Sequence, residues 1–485
     1  MKFKSFQTVS FLILYVFALS SCITINNNKK TAIEENYIRI SKEYPRYFEQ
    51  NDGKTWIPVM INFIMPNGDE TAVFNTVESY FKKFSENGGN AVRIWISSPF
   101  LEIEDQEEGH YDPVKFHRIN RLLEIAKKYR LKIKFTLQHI RSISPESTQK
   151  NSWSNSTVLS ADNGGSFHDI KEFVTTSKGK KVYLDRVKAI AERYRDNNQI
   201  FSWELWNEMD AVDENEWYPF TAELLDSVKS LFPNHLVVQT LGSMHSKDAE
   251  ERYEKLFKLN RNEYITLHRY LDPGTAWNQY DLVKNPIDKI AGNAVQFAYR
   301  DSLIKPILMN EIGAVEANHS GPSKLYDTDS LGVLLHDMVF TPFFCGAAGC
   351  GSVWHWDVYV NKQYLWYQYQ RFNNAIKGLD PIKEKFHPFY LQKDSVRMYG
   401  LRGLKNTVIW CRDTRNNWKT EIEDGKKPEI KKSFLLETDE ISKSDFVEAK
   451  VYNPWQDKWT VLPLKNNRIE MPPFLRSTIL FLRNN

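Results

Sequence analysis

Eight short apolar, β-branched runs begin near residues 57, 91, 132, 200, 236, 264, 307 and 352, with helix-length amphipathic segments between most of them. Residues 91–96 read A-V-R-I-W-I. In the segment 114–130, Phe116, Ile119, Leu122, Leu123, Ala126 and Tyr129 recur at i, i+3, i+4, the helical period. The same reading predicts helices over 77–85, 183–194, 220–231, 286–299 and 331–344. Strands that alternate with helices this regularly form a parallel sheet, and eight of them close it into a (β/α)8 barrel. One connection is long. Residues 142–181, rich in Ser, Asn, Gly and Lys, follow the third strand, so they fall on the C-terminal rim, where long loops serve function. This insertion is expected to wall a cleft there, with Trp153 offering a stacking ring and Phe167 pinning the loop.

The barrel needs only part of the 485 residues. Residues 46–54 form a hairpin with an Asp52-Gly53 turn ahead of the first barrel strand. Beyond Asp380-Pro381 the pattern changes to short strands over 396–401, 407–411, 433–437, 447–452, 458–463, 468–471 and 477–482, the signature of a small all-β sandwich. At the other end, Lys2 and Lys4 precede a short apolar stretch, 11–19, followed by Leu19-Ser20-Ser21-Cys22. This reads as a signal peptide, too short for a membrane span. The expected organisation is a lipoprotein signal peptide (1–21), a tether (22–36), the barrel (37–385) and the sandwich (386–485). Leu19–Cys22 resembles a bacterial lipobox. That implies lipidation of Cys22 and residence in the bacterial cell envelope, on the outer membrane, facing periplasm or surface. Cys345, Cys350 and Cys411 match no zinc spacing and read as small buried residues, with a 345–350 disulfide as the alternative. Sixty-four basic against 61 acidic residues give a net charge of +3 and no surface for nucleic acid.

The chemistry gathers at strand ends. In F-S-W-E-L-W-N-E-M-D (201–210) an apolar strand breaks into Asn207-Glu208, and in P-I-L-M-N-E-I-G (306–313) another breaks into Asn310-Glu311. Catalytic groups of such barrels sit at the C-terminal ends of the strands. Two carboxyls so placed, one protonated and one ionised, are what hydrolysis of a glycosidic bond requires. Asn207 can donate to a sugar 2-hydroxyl. Arg93, inside an apolar strand, needs a carboxylate partner, and Glu311 is the first candidate, with a structural ion pair to Glu102 or another acid as the alternative. His139, His268 and Tyr270 also fall on strand ends. Trp354 and Trp356, two apart at the eighth strand, are expected on one face as the floor of a sugar site; fourteen Trp in all are compatible with a carbohydrate cleft. No metal or cofactor is expected: H-E-x-x-H is absent, and Gly346–Gly351 precedes a strand where a dinucleotide loop would follow one.

The runs W-E-L-W-N-E, H-R-Y, N-E-I-G and W-H-W-D resemble clan A glycoside hydrolases, closest to family 5, the cellulases and β-mannanases, over roughly residues 37–385. The resemblance implies a retaining hydrolase of β-mannan or β-glucan type, with Glu208 as acid/base and Glu311 as nucleophile. Arg93, His139, Asn207, His268, Tyr270 and Trp354 or Trp356 would be the supporting residues. Met209 stands where the family usually has Pro, and N-E-I-G where it often has G-E-F/W-G. The competing reading is a lipid-anchored glycan-binding protein on an inactive barrel, which should have lost one of the two Glu.

Overall fold

The computed structural model describes residues 36–66, 68–143, 157–276, 279–441, 446–464 and 468–484. Three short antiparallel strands, β1 (Ile38–Ile40), β2 (Phe48–Gln50) and β3 (Thr55–Trp56), open the described chain. The barrel follows as β4 (Met60–Asn62), β5 (Ala91–Trp95), β6 (Lys132–Thr136), β7 (Ile200–Glu204), β8 (Leu236–Val238), β9 (Ile265–Leu271) and β10 (Ile307–Ala314). β4 to β8 form one parallel sheet in chain order, and β9 pairs parallel with β10. Side-chain and main-chain hydrogen bonds join β8 to β9, including Thr266 Oγ1 donating to the Gln239 carbonyl at 3.1 Å.

The eighth position is not a full strand. Val353 alone bridges Ile61 on one side and Ile312 on the other, which closes the ring. Directly after it the chain turns into a π-helical turn, Trp356–Asn361, so the expected pleat through Trp354 and Trp356 does not form.

The helices between strands are α1 (Glu70–Glu86), α2 (Pro113–Lys128), α3 (Ile170–Thr175), α4 (Ser177–Tyr194), α5 (Trp217–Leu231), α6 (Lys247–Phe257), α7 (Tyr280–Val283), α8 (Ile287–Ala298), α9 (Leu325–Thr328), α10 (Val333–Phe344), α11 (Tyr367–Ile376) and α12 (Pro381–Glu384). α1 starts earlier than its apolar period because Asp69 caps it, accepting from the amides of Thr71 and Ala72. The insertion after β6 is more ordered than a polar loop. From residue 157 it carries two 3-10 turns and α3, and α4 begins at Ser177. Phe167 is fully buried against Phe173, as a pin would be. Residues 144–156, with Trp153, lie outside the described residues.

After α12 comes an antiparallel six-stranded sheet in the order β11-β12-β13-β20-β16-β17. Its strands are β11 (His387–Lys393), β12 (Val396–Arg402), β13 (Asn406–Asp413), β16 (Phe446–Asn453), β17 (Lys458–Leu462) and β20 (Ser477–Asn484). Two small pairs complete it, β14 (Ile430–Lys431) with β19 (Phe474–Leu475) and β15 (Phe434–Glu437) with β18 (Arg468–Met471). Alternation along the strands separates two faces. Tyr399, Trp410, Tyr452 and Ile479 join the barrel core, while Met398, Ile409, Cys411 and Leu480 join Leu436, Ile469 and Met471 in a second core. Two buried ion pairs anchor the sheet to the barrel helices: Arg397 to Asp288 on α8 at 2.6 and 2.9 Å, and Arg412 to Asp337 on α10 at 2.8 and 3.0 Å. Cys345, Cys350 and Cys411 are buried free thiols, so the 345–350 disulfide is not formed.

Candidate active site

β7 and β10 carry Glu208 and Glu311 to the same place. One carboxylate oxygen of each, with a ring nitrogen of His268, lies within 4.8 Å of the others. Glu208 sits just past β7 at φ 53, a left-handed conformation that costs a non-glycine residue free energy and recurs at functional sites. Its amide donates to Thr240 Oγ1 at 3.1 Å. The two carboxyls open on a cavity of about 950 Å³, whose wall includes Arg141, Tyr270, His319, Trp354 and Trp356.

The two carboxyls are held differently. Glu311 Oε1 accepts from Arg93 Nη1 at 2.5 Å and Glu311 Oε2 from the Tyr270 hydroxyl at 2.8 Å. Burial pushes the Glu311 carboxyl up, and the nearby Glu208 charge adds to it; His268, Arg93 and the Tyr270 hydrogen bond oppose without cancelling, so it lies above the ordinary value. Burial pushes Glu208 up as well. There the hydrogen bond from His268 Nδ1, at 2.9 Å, and the charge of Arg141 on Oε2 outweigh it and bring Glu208 down to about 2. The free site therefore favours a carboxylate at Glu208.

Arg93, Asn207 and His268 are buried beneath the wall and touch these groups. Asn207 Oδ1 accepts from Arg93 Nη2 at 2.7 Å, and Asn207 Nδ2 has no hydrogen-bond partner among the described residues. Such a buried donor costs free energy until something accepts from it. His139 stacks on Trp95 with ring centroids 4.6 Å apart and contacts Ser97 Oγ through Nδ1 at 2.6 Å; it is not on the cavity wall. Trp354 packs near Trp95, at 5.1 Å, whereas Trp356 stacks on Phe63 at 4.4 Å and meets Tyr80 edge-on. Both indoles reach the wall, but from a turn.

The donor atoms of Glu208, His268 and Glu311 are close enough for a metal ion. They are already engaged with Arg141, Arg93, Tyr270, Asn310 and one another. The cluster is built as a hydrogen-bonded carboxylate pair.

A family model described as GH family 5 beta-mannosidase-like matches residues 93–346, more than half of the chain. The chain belongs to glycoside hydrolase family 5. Mannan endo-1,4-beta-mannosidase F of Aspergillus clavatus is 26% identical over 225 residues, 42% of this chain and 48% of the relative. The chain thus spans about half the length of that relative. Mannan endo-1,4-beta-mannosidase 5 of Solanum lycopersicum is 21% identical over 349 residues, 66% of this chain and 80% of the relative. In structure, a glycoside hydrolase family 5 protein from Bacteroides vulgatus superposes with a TM-score of 0.57 at 12% identity, over 93% of this chain and 94% of that one. That likeness shows the fold.

Several residues of this family 5 site escaped the sequence reading. Arg93 does reach Glu311, but its other edge is taken by Glu204, with Nε to Oε2 at 2.9 Å and Nη2 to Oε1 at 2.5 Å; Glu102 pairs with Arg186 instead. Lys134 Nζ lies 2.9 Å from Glu204 Oε2. A charge within a buried strand, mid-strand for Lys134 and at the last residue of β7 for Glu204, was the available signal. His319 was also missed. It follows Asn318 in the loop after β10, both residues are left-handed at φ 57 and 58, and its ring lies 5.1 Å from that of Tyr270. Two successive non-glycine residues in that region mark a strained loop held at a site.

Proposed function

We propose that the protein is a retaining endo-acting β-mannan hydrolase, with Glu311 as nucleophile and Glu208 as acid/base. The observation that carries this is the carboxylate pair, Glu208 just past β7 and Glu311 within β10 beside its register shift, with one oxygen of each within 4.8 Å of the other, close to the span of roughly 5–5.5 Å that double displacement uses and short of the inverting arrangement. The names of the Aspergillus and tomato relatives support mannan as the substrate class.

The geometry supplies each step. Glu311, fixed by Arg93 and Tyr270, attacks the anomeric carbon while Glu208 gives its proton to the leaving oxygen. Glu208 then takes a proton from water, which opens the glycosyl ester from the same face. The free Asn207 Nδ2 is suited to a sugar 2-hydroxyl, a hydrogen bond that strengthens as the ring flattens. Acid catalysis needs the proton on Glu208, which the free site does not favour. Arg141 reaches Glu208 from the cavity wall with a third of its side chain exposed, 34%. A leaving sugar that takes its place removes that charge and lets Glu208 bind a proton.

The test is a soluble form lacking residues 1–22, offered mannan, glucomannan, xyloglucan, β-glucan and cellulose with product sizing and NMR of the anomers. Mannan cleaved to oligosaccharides with retention is expected. Glu311→Ala should lose at least a thousandfold in kcat, and azide should restore turnover by forming a glycosyl azide. Inverted products, or no hydrolysis of any of the five, would reject the reading; the latter outcome is what a glycan-binding protein on an inactive barrel would give. We also infer that Cys22 carries a lipid that holds the protein at a bacterial envelope membrane, on the strength of Leu19-Ser20-Ser21-Cys22. Cys22→Ser should release it from the membrane fraction, and retention there would count against the anchor.

A further inference from the structure

Lys134 lies on β6 with its side chain fully buried, where an ammonium is expensive unless it is paired. Two chains of contacts lead from its Nζ to the two catalytic carboxyls. The first passes through Glu204. Its carboxylate takes the Nε and Nη2 edge of Arg93, whose Nη1 goes to Glu311, so one guanidinium is divided between two carboxylates. Lys134 shares the Glu204 charge at 2.9 Å, which leaves more of Arg93 for Glu311. Arg93, Lys134, Glu204 and Glu311 are charge-balanced only when Glu311 is ionised.

The second chain passes through Asn310. Lys134 Nζ has only donors, and it lies 2.6 Å from Asn310 Oδ1, so the amide must present its oxygen there. Asn310 Nδ2 then donates to His268 Nε2 at 2.9 Å. With Nε2 accepting, the imidazole proton is on Nδ1, and Nδ1–H donates to Glu208 Oε1 at 2.9 Å.

We propose that Lys134, acting with Glu204, is a positioning residue that keeps Glu311 ionised through the shared Arg93 and fixes the His268 tautomer that donates to Glu208. The roles of the two carboxyls in this inference rest on the reading given under Proposed function. Among the described residues, the charged and titratable groups facing Glu311 are Arg93 from β5, Lys134 from β6, Glu204 and Glu208 from β7 and its end, Tyr253 from α6, and His268 and Tyr270 from β9. His355, from the turn after Val353, packs beside Gly313, and burial pushes it down to about 3, so it is neutral. Burial likewise brings Lys134 down to about 8, its Glu204 contact only partly restoring it, which leaves it charged at neutral pH.

The test removes the coupling between the two carboxyls by working in a Glu208→Gln background. There an activated aryl β-mannoside needs no acid, and the acid limb of kcat/KM reports Glu311 alone. Lys134→Met should move that limb up by about one pH unit, Glu204→Gln should move it down by a similar amount, and the Lys134→Met/Glu204→Gln pair should return it near the start. Opposite shifts that cancel are not the signature of loosened packing. The double variant, which removes a balanced buried pair, is also the one best placed to fold should Lys134→Met fail to. A 13C titration of the Glu311 carboxyl should show the same three shifts without turnover. With Glu208 restored, 15N NMR should find His268 protonated on Nδ1, and Lys134→Met should mix the tautomers. A limb and carboxyl titration unmoved by Glu204→Gln and by the double variant's parent lysine change, or moved in the same direction by both, would overturn the proposal. If Glu311→Ala kept full turnover, the functional reading would fall, and the carboxyl titration would still decide whether Lys134 and Glu204 govern that group.

Discussion

Arg141 and Glu208 show how a single contact sets a protonation state. The guanidinium on Oε2 and the imidazole on Oε1 leave Glu208 a carboxylate in the free site, and only the guanidinium comes from the exposed wall. Arg141→Met should therefore raise the Glu208 pKa. Above the pKa values of both carboxyls, the rate on unactivated mannan follows the protonated fraction of Glu208. A rise of one unit then increases kcat/KM about tenfold at a fixed alkaline pH. Dividing by the rate on an activated aryl mannoside, which needs no acid, corrects for any lost sugar contact; an unchanged ratio would place Arg141 outside the acid's environment. The two glutamates proposed to do the chemistry were legible because an apolar run that breaks into Asn-Glu has no packing reason to do so, although β10 continues past Glu311 to Ala314. The residues beneath them were legible by the argument already applied to Arg93. Lys134 and Glu204 are equally buried charges in strands, yet the K-I-K-F-T and W-E-L-W runs look like ordinary amphipathic and apolar strands until register sets Arg93 beside Lys134 and Thr136 beside Glu204. His319 depends on the backbone conformation of its loop, which a sequence of A-N-H-S-G does not specify.

At the level of elements, seven barrel strands fall within a few residues of where β-branched runs begin. The eighth does not, because the rings of Trp356 and Phe63 stack and the chain after Val353 winds into a π turn. Apolar alternation cannot distinguish one bridging residue from a strand. α6 was missed for a related reason: K-D-A-E-E-R-Y-E-K-L-F is mostly charged, and four residues, Ala249, Tyr253, Leu256 and Phe257, carry its buried side. The antiparallel strands expected as a small all-β sandwich domain do form an antiparallel sheet domain after the barrel. One face of its six-stranded sheet is the cover of α8 and α10, through apolar contact and the pairs Arg397–Asp288 and Arg412–Asp337. Both Arg412 and Asp337 are buried, so removing one strands the other. Arg412→Ala should cost about 3–5 kcal/mol in urea unfolding, whereas Arg412→Met with Asp337→Leu should cost far less. Equal losses in the two would mean that packing volume, not the uncompensated charge, dominates the interface.

Across the whole molecule, His235, His336 and His355 are buried with lowered pKa values, and this ties global stability to pH. Burial brings His235 down to about 4 and His355 down to about 3, and His336, on α10 facing Ser477 of β20, lies well below its ordinary value. In the unfolded chain each titrates near 6.5. Between about pH 6.5 and pH 4 the unfolded state thus binds protons that the folded state refuses. The stability these groups contribute is complete above the unfolded value and is lost as pH falls through the folded ones. Each proton is worth about 1.4 kcal/mol per pH unit, so three together give a slope near 4 kcal/mol per unit around pH 5. The paired carboxylates Glu204 and Asp288, held below the ordinary range by Arg93 and Arg397 despite their burial, add their own losses only as the pH approaches 4 and below. Urea unfolding at about pH 7, 6 and 5 spans the histidine range; Glu104 and Asp337, which burial pushes up to about 7, titrate there with the opposite sign, so the histidine contribution is read from the difference each substitution makes. His336→Gln keeps a group able to face Gln368 and Ser477, and His235→Gln keeps a donor for the Asn197 carbonyl, so neither needs to disturb the fold. Each substitution should flatten the stability-pH line by about 1.4 kcal/mol per unit. Lines parallel to that of the unsubstituted protein would show that these histidines accept protons in the folded state, and that acid sensitivity in this range arises from other groups.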